Sequence, residues 1–292
     1  MQNNEELLEF SFDYEALDAC PLCRGEIMIP NGKIKWLGID FWYVICPVCD
    51  LKFMNPRPTQ ASYQKFYKDF FWQQKVRNIG FKQEGQIWQG QIYQWDNDKV
   101  WDPEEGRKNK IEKLRTLRFG IITETLSRYI TLDEDKRILE VGCSFGVILH
   151  ELNKKYQCEV YAIEPSTEAQ EAIREFGNIR LLGSYGEELE SISKSDLKFD
   201  AIIFSHALEN TSIPFDIMRW AAECLKPNGI VYVQCSNLFT YDQMNPYHPY
   251  IFSFPAFKVL AEKLGAGIER VTPSLDKMLT VIFAKNPSVL SK

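Results

Sequence analysis

From residue 137 onward, short apolar runs alternate with stretches whose apolar residues recur every three or four positions. "RILEVG" (137–142), "EVYAIE" (159–164), "IRLLG" (179–183), "FDAIIFSHAL" (199–208) and "IVYVQCSN" (230–237) read as buried strands. Between them, "GVILHELNKKY" (146–156), "STEAQEAIREFG" (166–177), a stretch around "GEELESI" (186–192) and "FDIMRWAAECL" (215–225, stopped by "KPNG") carry the helical spacing. This is the β-α-β-α rhythm of a doubly wound parallel sheet. The end departs from it. After a helix at "PAFKVLAEKLG" (255–265), "AGIERVT" and "KMLTVIFAK" are joined by a turn, which predicts a terminal antiparallel hairpin.

The first hundred residues follow another pattern. "EIMI" and "KIKWLG" flank "PNG", a hairpin signal, and "DFWYVI" supplies a further strand. After "NPRP", a rigid turn, Thr59 is placed to cap a helix over "QASYQKFYKDFF". Residues 72–106 are rich in Trp and Gln with weak periodicity. They fit a packed connector better than a lid or substrate platform. From Arg107 a helix is expected, with Ile111, Leu114, Leu117, Ile121 and Leu126 on one face. Its Lys108, Lys110, Lys113, Arg115 and Arg118 read first as a solvated face and second as an attraction for a phosphate-bearing substrate. The expected division is a small module over 1–58, a helical connector or substrate lid over 59–118, and an α/β domain over 119–292.

Composition narrows the setting. The 292 residues carry a net charge of −6, which argues against a nucleic-acid partner. The acidic start has no signal-peptide pattern and no apolar run reaches membrane-spanning length, so a cytoplasmic protein is expected. Of the eight cysteines, Cys20, Cys23, Cys46 and Cys49 form two C-P-x-C pairs. In a reducing compartment such pairs point to a closed, structural Zn²⁺ site of the zinc-ribbon kind. Cys224 and Cys235 read as core.

The loop "EVGCSFG" after the first strand is where such a sheet binds a ligand. Gly142 and Gly146 permit close backbone approach, and Glu164, ending the second strand, suits ribose hydroxyls. These features alone fit NAD or S-adenosylmethionine. The dinucleotide fingerprint needs G-x-G-x-x-G, whereas this loop has G-x-x-x-G with Ser144 inside it, and the terminal hairpin is foreign to plain dinucleotide-binding domains. The balance moves to S-adenosylmethionine.

"ILEVGCSFG", "AIEPS", "FDAIIFSHALEN", "LKPNGIVYVQ" and "HPYIFSFPAFKVLAEKLG" together resemble the successive motifs of class I S-adenosylmethionine-dependent methyltransferases, over roughly residues 119–292. The N-terminal cysteine segment is similar to the zinc-binding segment of a subgroup that includes C-methyltransferases of nucleotide-linked sugars. The resemblance implies a Rossmann-like seven-stranded sheet. It puts Glu140, Gly142, Cys143 and Gly146 around the methionine end of the cofactor and Glu164 at the ribose. Ser184 and Tyr185 then lie near the adenine, and Ser205 and His206 face the sulfonium. His206 and His248 are the candidate bases or substrate ligands, with Tyr247 beside the acceptor; Glu209 and Asn237 are weaker candidates, and His150 a surface or packing residue. Asn210 stands where the subgroup often has a second histidine. The expected activity is methyl transfer to a small polar, sugar-containing metabolite. The alternatives are an RNA methyltransferase gripping through the ribbon and basic helix, an inactive cofactor-binding module and, last, an NAD-dependent oxidoreductase.

Overall fold

The computed structural model describes residues 11–36, 39–67, 82–84, 87–88, 91–92, 111–112 and 114–291. The chain opens with β1 (Tyr14–Glu15), β2 (Ile29–Trp36), β3 (Ile39–Ile45), β4 (Lys52–Met54) and β5 (Arg57–Pro58). Helix α1 (Gln60–Phe66) follows, capped as expected by Thr59, whose hydroxyl accepts from Ser62 N–H at 3.3 Å. Of residues 72–106, only the short strands β6 (Lys82–Glu84), β7 (Ile87–Trp88) and β8 (Gln91–Ile92) lie within the described residues, so the lid-or-connector question for that segment falls outside them.

"PNG" does not turn the chain. Asn31 and Gly32 sit inside β2 as a bulge: Pro30 pairs with Val44 and Lys33 with Trp42, leaving Tyr43 alone opposite the inserted pair. Gly32 takes φ +94°, which only glycine adopts without strain. The hairpin instead joins β2 to β3, where Trp36 pairs with Ile39.

A π-helical turn (Leu114–Arg118) leads into α2 (Phe119–Leu126). The wider turn moves the buried stripe by one position. Leu114, Ile122 and Leu126 are buried, while Leu117 and Ile121 are 54% and 42% exposed, against the expected face. Arg118 stands on the buried side and is therefore not part of a solvated basic face.

The α/β part then runs β9 (Arg137–Val141), α3 (Val147–Tyr156), β10 (Glu159–Ile163), α4 (Thr167–Phe176), β11 (Ile179–Gly183), α5 (Glu188–Ser193), β12 (Phe199–Ser205) and α6 (Pro214–Glu223). It ends with β13 (Leu225–Ser236), β14 (Tyr250–Ile251), α7 (Phe254–Leu264), β15 (Gly267–Arg270) and β16 (Met278–Ala284). Seven strands form one sheet in the order β11-β10-β9-β12-β13-β16-β15, with β16 antiparallel to both neighbours. "KPNG" again lies within a strand: Phe199 pairs with Leu225 and Ala201 with Ile230, so the four residues bulge out of β13.

Apolar side chains cover both faces of this sheet. A second sheet, β14-β4-β3-β2-β6, draws its edge strand from the far side of the chain, since β14 pairs antiparallel with β4. Its own core includes Ile34, Trp36, Phe41, Tyr43 and Phe66. Among the described residues, no helix is long and apolar enough to cross a membrane.

Candidate active site

Strand order reverses between β9 and β12, and a cavity of about 340 Å³ opens at the carboxyl ends of β9, β10 and β12. Its floor is the loop after β9. Gly142 (φ +75°), Ser144 (φ +54°) and Gly146 (φ +69°) all take left-handed backbone. A Cβ on Gly142 would sit 2.7 Å from that of Ala207, and one on Gly146 would sit 2.9 Å from Ile173 and Ile179 side-chain carbons. Neither position has room for a side chain. Ser144 holds its conformation because its N–H donates to Glu164 Oε2 at 2.7 Å, while Glu164 Oε1 accepts from Ser166 N–H at 2.9 Å.

The charged lining is arranged for a ligand bearing both signs. Glu140 is buried and its Oε2 has no hydrogen-bond partner among the described residues. Burial pushes its carboxyl up to about 8; Arg118 opposes the rise and Glu164 adds to it. Arg118 reaches the same cavity from the π-helical turn, its Nη1 3.4 Å from Ser205 Oγ, and burial lowers its affinity for a proton while Glu140 restores it. An orphaned buried carboxylate oxygen and a desolvated guanidinium suit the ammonium and carboxylate of an amino acid, and the acidic surroundings suit a sulfonium. Cys143 lines the floor with its thiol pushed well up by burial, so it is an inert loop residue.

At the other end, Ser184 and Tyr185 line the wall, with Ser184 Oγ accepting from Gln170 Nε2 at 3.1 Å. Helix α1 roofs this end. The side-chain amides of Gln60 and Gln64 both donate to Glu187 Oε1, and Tyr67 lies on the same wall. The connector or lid expected over 59–118 contains these roof residues, but none of them stood out individually in the sequence. The missing signal was the strand pairing that folds the N-terminal sheet against the site.

Next to the expected sulfonium position stand Ser205 and His206, both on the cavity wall. His206 takes φ +56°, held by its N–H donating to the Gln234 carbonyl at 2.8 Å and by Asn210 Nδ2 donating to its own carbonyl at 3.0 Å. Its Nδ1 lies 3.4 Å from Glu209 Oε1. Burial alone would raise the Glu209 carboxyl, but His206 and His248 together hold it below the usual range. His248 is half-buried in the loop before β14; burial pulls it down, against Glu209 and the Gln243 backbone.

Two expectations about the acceptor side change. His248 is close enough to feel Glu209 and His206 but is not on the cavity wall. The Tyr247 ring stacks on Phe66 at 5.7 Å and meets Trp36 edge-on at 5.6 Å, packed against the core of the N-terminal sheet and off the cavity wall. An aromatic ring next to a histidine packs as readily as it binds. Asn237, also a candidate, serves its loop by donating to the Asp276 carbonyl at 2.9 Å. His150 stacks on Phe176 at 4.2 Å and is a packing residue, as expected. Of the basic run, Arg115 pairs with Glu151 at 3.1 Å, and Lys108, Lys110 and Lys113 lie outside the described residues.

The four N-terminal cysteines converge. Their sulfurs all lie within 4.8 Å of one another, with Cys20–Cys49 at 3.6 Å and Cys23–Cys46 at 3.5 Å. A tetrahedral Zn²⁺ with Zn–S bonds of about 2.3 Å would set sulfurs about 3.8 Å apart. The two knuckles are built alike. Cys20 N–H donates to the Gly25 carbonyl and Cys46 N–H to that of Leu51, both at 2.9 Å, and Arg24 and Asp50 both take positive φ. The residues fit a closed four-thiolate metal site.

Comparison with known proteins agrees with this geometry. A family model described as "Methyltransferase domain" matches residues 114–265, just over half of the chain. Two ubiquinone biosynthesis O-methyltransferases are similar in sequence. That of Azorhizobium caulinodans is 23% identical over 155 residues, 47% of this chain and 57% of the relative. That of Neisseria meningitidis serogroup A is 26% identical over 149 residues, 48% and 58% respectively. The chain thus spans less than two thirds of these relatives' lengths. A solved methyltransferase from Archaeoglobus fulgidus shares the fold, with TM-score 0.50 and 15% identity over 63% of this chain and all of that one. Glycine loop, strand order and family match lead to one assignment: the chain belongs to the class I S-adenosylmethionine-dependent methyltransferases.

Proposed function

We propose that the enzyme methylates a hydroxyl or an acidic carbon of a small polar acceptor, with His206 as the base. The observation that carries this reading is the placement of His206 on the cavity wall with Nδ1 3.4 Å from the buried Glu209 carboxylate; in this reading Nε2 serves the acceptor. The cofactor, when bound, supplies a methyl group already activated on a sulfonium. The chain's own task is to hold the two partners in line and exclude water. Glu140 and Arg118 hold the amino-acid end, Glu164 takes the ribose, and Ser184 and Tyr185 flank the adenine. Gly142 and Gly146 admit the backbone, while Cys143 and Ser205 shape the floor. His248 assists through Glu209. The four cysteines hold a structural Zn²⁺ in an N-terminal module (1–58), connected through 59–118 to the catalytic domain (119–292).

A sugar-containing acceptor is favoured by the likeness of the N-terminal cysteine segment to that of nucleotide-sugar C-methyltransferases and by a cavity wall with polar Gln60, Gln64 and Tyr67. A phenolic acceptor is the second reading, favoured by the names of the sequence relatives. RNA as acceptor loses support from the net charge of −6 and the inward turn of Arg118. The test is to incubate the protein and methyl-labelled S-adenosylmethionine with fractionated cell extract. Label should enter the water-soluble small-molecule pool and disappear with His206→Asn, while S-adenosylhomocysteine binding persists. Label in lipid-soluble phenols would select the second reading, and label in RNA would overturn both.

A further inference from the structure

Glu209 occupies a place where a carboxylate is unfavourable. It is 2% exposed, in the short 3₁₀ turn (Leu208–Asn210) that follows β12, and neither oxygen has a well-aligned hydrogen bond among the described residues. Removing an ion from water costs several kcal/mol unless partners compensate. Its surroundings supply them from three elements. His206 at the end of β12 brings Nδ1 to 3.4 Å of Oε1, and the charges of His248 in the loop before β14 and of Arg118 in the turn before α2 also act on it. Burial holds the Cys235 thiol of β13 neutral, and the nearby carboxylate adds to that effect. Glu164, by contrast, is met by the backbone amides of Ser144 and Ser166. Glu209 is met by side chains that carry protons.

We propose that Glu209 is the positioning residue of this site: it accepts from His206 Nδ1–H and so fixes the tautomer that leaves the lone pair on Nε2. The inference rests on His206 being the base. A proton taken from the acceptor goes to Nε2, and the charge of the resulting imidazolium is offset by the carboxylate at Nδ1. Because the charge of His248 acts on the same carboxylate, the two imidazoles share one counter-charge. Glu209 does not touch the acceptor and is not itself a catalytic residue.

The chain has only three histidines, so the ring nitrogens of all of them can be followed by NMR in the full-length protein labelled with ¹⁵N-histidine. Neutral His206 is expected as the Nδ1–H tautomer. In Glu209→Gln, that preference is lost and the His248 titration midpoint falls by about one pH unit, since a nearby negative charge has been removed. His150, stacked on Phe176, is the internal control and stays unchanged. An Nε2–H tautomer for His206 in the unmodified protein overturns the proposal, and this reading needs no variant to fold. A folded Glu209→Gln protein, judged by S-adenosylhomocysteine binding, with tautomer and His248 midpoint unmoved overturns it equally. Failure of the base reading is separate: His206→Asn would then transfer label at the normal rate whatever the tautomer.

Discussion

The hydroxyl of Tyr43 lies 2.8 Å from the carbonyl oxygen of His248, tying the cysteine-bearing sheet to the loop that precedes β14. The same hydroxyl is 2.8 Å from the Asn245 carbonyl and accepts from Asn245 N–H at 3.3 Å. Beside it, Lys52 Nζ pairs with Asp242 at 2.5 Å and lies 5.5 Å from the centre of the Tyr43 ring. The cysteine-bearing sheet and the loop before β14 are thus held together by buried polar contacts.

Replacing Tyr43 by Phe should therefore destabilise the protein by about 1–3 kcal/mol, because buried carbonyls lose their donor. The effect should be local. Hydrogen exchange at the His248 amide, which donates to the Asn245 carbonyl, should accelerate while amides of β9 and β12 keep their protection. Unchanged exchange at His248 would show that the link to Tyr43 does not hold the loop.

Much of this architecture was legible in the sequence. The parallel strands are buried on both faces and so appear as unbroken apolar runs, and each following helix carries its own apolar stripe. The cysteine pairs announced their cluster, and Glu164 its place at the end of β10. Most of what escaped was decided by a contact far away in the chain, and one case by a local irregularity. A two-residue strand such as β14 has no period to read, so its pairing with β4 was hidden, and with it the roof over the cavity. "PNG" satisfies a turn and a bulge equally well, and only the partner strand decides. Arg118 was assigned to solvent because the π-helical turn moved the buried face by one residue.

Gly142→Ala should weaken the cofactor site through sterics as well as backbone strain. The φ of +75° costs an L-residue about 1–3 kcal/mol, and the new methyl would meet Ala207 at 2.7 Å. Gly177→Ala is the matched control, with φ +70° and nothing within 4 Å of the added carbon. Both variants should melt lower, Gly142→Ala by more, and only that one should lose affinity for S-adenosylhomocysteine in calorimetry. Equal losses in the two would assign the effect to backbone conformation alone.

Glu140 predicts a pH dependence whose sign follows from its burial. In the folded, ligand-free protein its carboxyl is raised from 4.5 to about 8, so between those values the folded state retains a proton that the unfolded chain has released. Its contribution is fully present below the lower value and is lost as pH climbs toward about 8. Glu140→Gln should flatten that slope in urea-unfolding series. Binding of S-adenosylmethionine should strengthen over the same window as the carboxylate forms, and the Gln variant should lose this dependence. A slope identical in the two proteins would place the titrating group elsewhere.

Metal removal tests the link between the two ends of the chain. Four thiols within 4.8 Å, on two similarly bonded knuckles, would become a thiolate cage around a cation that offsets their charge. The second knuckle leads directly through Leu51 into β4, and β4 carries β14 at its edge. The purified protein should therefore contain about one Zn²⁺ per chain, by elemental analysis, as one four-thiolate site requires. A chelator, or Cys46→Ser, should raise hydrogen exchange in β3, β4 and β14 together. One face of the large sheet shares its core with Cys20, Cys46, Cys49 and Leu51, but the other face has a core without them, so β9 and β12 should stay protected and S-adenosylhomocysteine should still bind. Should cofactor binding collapse along with β14, the metal would be supporting the whole fold and not the β4–β14 edge alone.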